Sequence, residues 1–126
     1  MLVSIALVLT PMTVRIYHNP RCSKSRQALQ LLQAQGDEAE VVRYLDNPPD
    51  AATLDGLLQM LGLGPRELMR KGEAAYKASG AEDPNLSRGE LIALMVANPI
   101  LIERPIVVAN GRAVIGRPPE RVLEIL

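Results

Sequence analysis

The chain has 126 residues, 14 basic and 14 acidic side chains, one histidine and one cysteine. That length predicts one domain whose core needs no disulfide, and the zero net charge predicts no attraction to nucleic acid or to an anionic membrane. A lone cysteine, Cys22, cannot form an internal disulfide or a cysteine-rich metal site, so a reducing, cytoplasmic location is the simpler expectation.

Residues 1–12 are interpreted as an N-terminal extension outside the domain, which then covers residues 13–126. Residues 1–9 are apolar, but a membrane span needs about 20 such residues. The segment also lacks the basic start and the small-residue cleavage site of a secretory signal. Because Met12 stands directly before a strand-like segment, a translation start assigned too far upstream is one explanation. A degenerate export signal is the alternative.

The first part of the domain has the pattern strand, helix, strand. Residues 14–17 form a short apolar run that predicts a buried strand. The segment after it carries four residues at helical spacing, which places them on one face of a helix: Ser25, Ala28, Leu29 and Leu32. Gly36 is a typical stop after such a helix. Residues 40–45 are predicted to form the second strand.

A helical block follows the second strand. Four leucines repeat the helical spacing up to Gly62: Leu54, Leu57, Leu58 and Leu61. Proline is common at the first position of a helix, so Pro65 is expected to begin a short helix that extends through Lys71. Residues 72–85 are polar and are expected to form a loop with some helical turn.

The helical block is predicted to end with one more helix. Ser87 and Glu90 form the S-x-x-E pattern of a capping box, in which each side chain bonds the backbone N–H of the other residue. This pattern stands directly before the apolar segment "LIALMVA" and therefore predicts the start of a helix. Asn98 and Pro99 are expected to end it, because proline cannot continue the helix that precedes it.

The chain closes with a hairpin and a last helix. Residues 105–108 and 113–116 are strand-like and flank Asn110 and Gly111, which favour a two-residue type I′ turn. A helix is expected to follow Pro118 and Pro119. The complete order is a βαβ unit, a helical block and a ββα unit. It predicts an α/β protein with a thioredoxin-like fold and a helical insertion between the two halves.

Cys22 is expected at the start of the first helix. Free backbone N–H groups and the helix dipole favour an anion there, and both lower the pKa of a thiol. Arg21, Lys24 and Arg26 add positive charge around it in the sequence, and Ser25 can donate its hydroxyl hydrogen to the thiolate. The alternative is a buried, unreactive thiol, but the surrounding segment "PRCSKSR" is polar, which favours a reactive one.

The segment "IYHNPRCSKSR" resembles the active-site segment of the glutaredoxin-coupled arsenate reductases. Four more segments resemble that family in the same order: "YLDNPP" (44–49), "RELMRK" (66–71), "NPILIERPIVV" (98–108) and "GRPPERVLEIL" (116–126). The resemblance implies the same thioredoxin-like fold. It also implies that the Cys22 thiolate attacks arsenate or a similar oxyanion, that glutathione is the co-substrate and that glutaredoxin supplies the electrons. No bound cofactor and no metal are expected.

The resemblance also assigns residues to roles. Three arginines are implied to bind the oxyanion: Arg70, Arg104 and Arg117. Guanidinium groups suit this task because they stay charged and match the geometry of an oxyanion. Pro105 falls at the position of the cis-proline that thioredoxin-like folds hold opposite the cysteine. His18 is expected to support the loop or the ionised thiol rather than to act as a general base.

Two features of the sequence leave other functions open. Arg21 and Lys24 stand where well-characterised members of the family have small or neutral residues, so a different substrate is possible. A redox-responsive transcriptional regulator resembling Spx shares the fold, although its usual C-x-x-C switch cannot form here, because Ser25 occupies the second position. A monothiol oxidoreductase with another substrate is the third reading.

Overall fold

The computed structural model describes residues 13–126. Its four strands are β1 (Val14–His18), β2 (Ala39–Arg43), β3 (Ile106–Ala109) and β4 (Arg112–Ile115). They form one sheet in the order β2-β1-β3-β4, in which β1 is parallel to β2 and antiparallel to β3, and β3 is antiparallel to β4. The interpretation of residues 1–12 as an extension concerns residues outside the described part.

Helices connect and cover the strands. They are α1 (Ser23–Ala34), α2 (Ala51–Leu61), α3 (Pro65–Leu68), α4 (Ala74–Ala78) and α5 (Arg88–Ala97), with 3-10 helices at Pro99–Leu101 and Pro119–Ile125. The predicted α/β arrangement, with helices inserted between a βαβ unit and a hairpin, is confirmed. No helix in the described part of the chain is both long enough and apolar enough to cross a membrane.

The central strands β1 and β3 are covered on both faces, and alternate residues of a strand point to opposite sides. Val14 and Ile16 of β1 pack with residues of α1 and of the C-terminal 3-10 helix. Tyr17 of the same strand packs on the other side, with the helical block. Leu32 and Leu54, one from each side, are completely buried. The buried apolar side chains therefore form two clusters, one on each side of the same sheet.

Several local predictions are confirmed. Asn110 and Gly111 both adopt positive φ, 56° and 70°, as a type I′ turn between β3 and β4 requires. Gly62 ends α2 in the left-handed region, with φ 69°. Ser87 accepts from the Glu90 backbone N–H at 3.1 Å, and Glu90 accepts from the Ser87 N–H at 3.1 Å. Each of these features depends on one or two residues within a segment of at most four.

Two helix predictions are wrong in detail. The helix that begins at Pro65 ends at Leu68 and not at Lys71, because Met69 is extended and pairs with Ile102 in an isolated β-bridge. The backbone N–H of Arg70 then donates to the Leu101 carbonyl at 2.7 Å. The segment after Pro118 forms a 3-10 helix and not an α-helix. The early end of α3 matters for the site, because it brings Arg70 beside the segment that leads into β3.

We expect Ser87→Ala to lower the free energy of unfolding by about 1 kcal/mol, because the first turn of α5 loses the oxygen that caps it. Ser79→Ala is the matched control, since the Ser79 hydroxyl makes only a 3.4 Å contact with the Tyr76 carbonyl. Urea unfolding of both variants measures the difference. Equal stability of the two variants would show that the capping box contributes little.

Candidate active site

Cys22 is the N-cap of α1, and only 8% of its surface is exposed. Burial alone would raise the pKa of the thiol, and it is the largest single influence. The backbone N–H groups of Ser25 and Lys24 and the charges of Arg104 and Arg117 act in the opposite direction. Together they outweigh burial, so the pKa of Cys22 is lowered. The sulfur is therefore held near the surface in a setting that favours the thiolate.

The cations that act on the sulfur come from distant parts of the chain. Arg117 places Nη1 3.9 Å from Sγ of Cys22. By contrast, the sequence neighbours Arg21 and Lys24 are exposed, and Arg26 donates to the Pro20 carbonyl at 2.8 Å. In the first turn of a helix the N–H groups point back toward the N-cap while the side chains point outward. Lys24 therefore acts through its backbone and not through its ammonium group.

The three arginines assigned to the oxyanion by resemblance line one open cleft. The cleft has a volume of about 510 Å³, and its walls include Arg70, Arg104 and Arg117. Nε of Arg104 is buried and has no hydrogen-bond partner among the described residues. Arg117 links the cleft to the thiol, since it also lies next to Sγ of Cys22. The arrangement can bind an oxyanion beside a thiolate.

The fold brings these arginines together through three separate connections. Arg70 follows α3, Arg104 is separated from the start of β3 by one residue, and Arg117 directly follows the glycine after β4. Because β3 and β4 pair as a hairpin, residues just before β3 and just after β4 lie at the same end of the sheet. Arg117 Nη1 accordingly lies 3.3 Å from the Arg104 carbonyl, to which it donates.

Proline residues follow two of the arginines. The Arg104–Pro105 and Arg117–Pro118 peptide bonds are both cis. The Pro105 carbonyl accepts from the Gly116 N–H at 2.9 Å. A Cβ atom at Gly116 would lie 3.0 Å from Pro105 Cγ and 3.3 Å from Val122 Cγ1, so a side chain here would push against both neighbours. The contact sets the distance between the two loops that carry Arg104 and Arg117.

Two glutamates that the sequence analysis did not single out share the cleft. Glu73 Oε1 lies 2.7 Å from Arg70 Nη1. Glu103 Oε1 accepts from the backbone N–H of Arg104 at 3.1 Å and from its Nη1 at 3.2 Å, and it lies 4.0 Å from Arg70 Nε. These contacts fix two of the arginines in place before any ligand arrives. The sequence offered only two signals, an acidic residue three positions after Arg70 in "RKGE" and one directly before Arg104 in "ER".

His18 and Ser25 form a buried pair next to the cysteine loop. His18 Nδ1 lies 2.6 Å from Ser25 Oγ, and Ser25 Oγ also accepts from the Asn19 backbone N–H at 3.0 Å. Burial, with the charges of Arg43 and Arg26, lowers the pKa of His18, so the ring is neutral near pH 7. Among the described hydrogen bonds, those of the Ser25 hydroxyl go to this loop, and it is the Ser25 backbone that supports the thiolate.

Tyr44 is a further residue of the site that sequence reasoning missed. It is 1% exposed, and burial raises the pKa of its hydroxyl against the opposing charges of Arg104 and Arg70. Asn19, in the cysteine loop, accepts from the Arg21 N–H through its Oδ1 at 3.0 Å. Tyr44 is therefore buried close to the charged groups of the site, Arg104, Arg70 and Cys22. An aromatic residue directly after β2 was the available signal.

We expect alkylation of Cys22 by iodoacetamide to show a pH midpoint below that of glutathione measured alongside, because the lowered pKa leaves more thiolate at a given pH. Replacing Arg117 by glutamine removes a cation from the sulfur and should move the midpoint to higher pH. Arg121→Gln is the control, since Arg121 is exposed and pairs with Glu124 at 3.6 Å. A midpoint that is the same in all three proteins would contradict the electrostatic account of Cys22.

Comparison with known proteins identifies the family. A family model described as the ArsC family matches residues 17–125. The uncharacterized protein YfgD of Escherichia coli strain K12 is 61% identical over 90% of this chain and 96% of its own length. A Neisseria meningitidis serogroup A protein named arsenate reductase is 48% identical over 90% of this chain and 97% of its own. The structure of an arsenate reductase from Vibrio cholerae has a TM-score of 0.89 at 52% identity and covers 93% of this chain and 100% of its own. These matches confirm the resemblance seen in the sequence: the chain belongs to the ArsC family.

Proposed function

We propose that this protein reduces arsenate to arsenite, with the Cys22 thiolate as nucleophile, glutathione as co-substrate and glutaredoxin as the source of electrons. The observation that carries the proposal is the position of Arg117, which lines the oxyanion cleft and also lies 3.9 Å from Sγ of Cys22. A thiolate and an oxyanion repel each other unless cations lie between them. A cation that lines the cleft and also contacts the sulfur would reduce that repulsion, which is why the position of Arg117 supports the proposal.

The proposed chemistry needs two thiols. Sγ of Cys22 forms a bond to arsenic, and one arsenate oxygen leaves as water after it takes up protons. A glutathione thiol then attacks the adduct, the two sulfurs leave as a disulfide, and the arsenic(V) gains two electrons to become arsenic(III). Glutaredoxin reduces the disulfide with further glutathione. Because the electrons come from thiols, no bound cofactor takes part.

The single cysteine supports the requirement for an external thiol. The chain has one cysteine in 126 residues, so it offers no second sulfur for an internal disulfide. A reductase of this kind needs another molecule to reduce its oxidised cysteine to the thiol again after each cycle. The cytoplasm, which maintains reduced glutathione, is the proposed location.

Arsenite formation by the purified protein tests the proposal. We expect turnover with arsenate, glutathione and glutaredoxin, measured as arsenite and as NADPH consumption through glutathione reductase. Omission of either glutathione or glutaredoxin should abolish it, and thioredoxin should not replace glutaredoxin. Absence of arsenite above the rate without protein would refute the substrate assignment. Reduction of a small disulfide instead of arsenate would favour a monothiol oxidoreductase.

A further inference from the structure

Glu103 presents an unengaged carboxylate oxygen in the cleft that holds the arginines. Its Oε1 is the atom that contacts Arg104 N, Arg104 Nη1 and Arg70 Nε. Within residues 13–126, no hydrogen bond or ion pair of the structure involves Oε2. The side chain is 30% exposed and lines the cleft. The carboxylate is therefore fixed through one oxygen and open to a ligand at the other.

A carboxylate in an anion-binding cleft must oppose some anions. The charged side chains that line this cleft are four cations and two carboxylates: Arg70, Lys71, Arg104, Arg117, Glu73 and Glu103. The balance remains positive, so an oxyanion is attracted to the cleft as a whole. An oxygen without hydrogen that approaches Glu103 Oε2 is repelled by it, whereas a hydroxyl of the ligand can donate a hydrogen to the same atom.

We propose that Glu103 is a specificity-determining residue, which accepts a hydrogen bond from a protonated oxygen of the ligand and thereby selects oxyanions that carry hydrogen. The inference rests on the proposed function, because it concerns how the same cleft chooses its oxyanion. Near neutral pH arsenate and phosphate keep at least one hydrogen, whereas sulfate keeps none. The cleft therefore binds arsenate and phosphate and rejects sulfate, which has the same tetrahedral shape.

The magnitude of the selection follows from the charge on the acceptor. A hydrogen bond to a charged group is stronger than one between neutral groups, and an unpaired approach to the same charge is unfavourable. The favourable hydrogen bond and the unfavourable unpaired approach together predict that phosphate binds roughly tenfold to a hundredfold more tightly than an anion without hydrogen. Fluorophosphate is a stricter probe than sulfate, because it has the charge of doubly charged phosphate and a similar size, with fluorine in place of the hydroxyl group.

Protection of Cys22 against iodoacetamide measures the selectivity without any arsenate chemistry. Phosphate, sulfate and fluorophosphate are titrated against the alkylation rate at constant ionic strength. We expect phosphate to protect the wild-type protein at concentrations at least about tenfold lower than either of the other anions. In Glu103→Gln the difference should fall to about threefold or less, because an amide can turn its N–H₂ group toward an oxygen that lacks hydrogen.

Glu73→Gln is the matched control, because it removes the same charge from the same cleft. It should strengthen binding of all the anions while it keeps the preference for phosphate. Equal protection by phosphate and fluorophosphate in the wild-type protein overturns the inference, as does a preference that survives in Glu103→Gln or an absence of protection by any anion. The comparison of phosphate with fluorophosphate in the wild-type protein tests the inference even if Glu103→Gln does not fold. A wild-type protein that prefers phosphate but forms no arsenite refutes the proposed function alone.

Discussion

Cys22→Ser is expected to abolish arsenate reduction, with a loss of at least about a thousandfold in turnover. The serine hydroxyl is not ionised near neutral pH, so the nearby arginines have no anion to stabilise at this position. The fold should remain intact, since Cys22 is the N-cap of α1 and serine is among the preferred residues there. Arsenite formation and thermal unfolding of the variant separate the two effects.

The wild-type protein supplies the control for this experiment. Because Cys22 is the only cysteine, one equivalent of iodoacetamide should label a single site and remove the activity. Arsenate should slow the labelling. A folded Cys22→Ser protein that keeps more than about a hundredth of wild-type turnover would rule out Cys22 as the nucleophile.

Arg104→Ala is expected to lower kcat/KM for arsenate by roughly a hundredfold, the usual effect of removing one donor from an oxyanion site. The unpartnered Nε of Arg104 is lost with the side chain, and so is one of the charges that lower the pKa of Cys22. The fold should remain intact, because the Glu103 carboxylate keeps Arg70 as a neighbouring partner when the Arg104 side chain is removed. Arg104→Ala should therefore weaken the binding of arsenate more than it lowers the stability of the fold.

Two further variants make the Arg104 result specific. Arg104→Lys retains the charge but loses the planar fork, so its kcat/KM should lie between those of wild type and Arg104→Ala. Arg121→Ala removes an exposed arginine that pairs with Glu124, and it should leave kcat/KM unchanged. An equal loss in Arg121→Ala and Arg104→Ala, or a loss that follows the melting temperature, would contradict a binding role for Arg104.

Local structure could be predicted from the sequence wherever a few adjacent residues decide the backbone. The turn at Asn110–Gly111 is such a case, because both residues tolerate positive φ. The capping box at Ser87 and Glu90 is another, since the donors and acceptors are three residues apart. The type of the C-terminal helix was not predictable in this way. Its apolar residues Val122 and Ile125 are buried at spacing three, which fits both kinds of helix.

The site could not be predicted from any short segment, because it is formed by contacts between distant parts of the chain. Arg117 lies 95 residues from Cys22 in the chain, and only the pairing of the strands brings it to the sulfur. The resemblance to a family supplied the three arginines, but it did not supply the carboxylate of Glu103 that holds two of them. Helical spacing correctly placed Ser25 on the buried face of α1. It could not show that the hydroxyl faces His18, because His18 belongs to a different element.

The absence of a side chain at Gly116 has a consequence for engineering this protein toward other substrates. A Cβ there would meet Pro105 and Val122 and would lie 3.4 Å from Cβ of Ala28. The loops of the cleft thus rest directly on the hydrophobic interior, with no adjustable side chain between them. A mutant library that seeks a new specificity should randomise exposed wall positions such as Lys71. It should leave the tightly packed set of Ala28, Gly116 and Val122 unaltered, because a bulkier residue there would disturb the packing beneath the loop that carries Arg117.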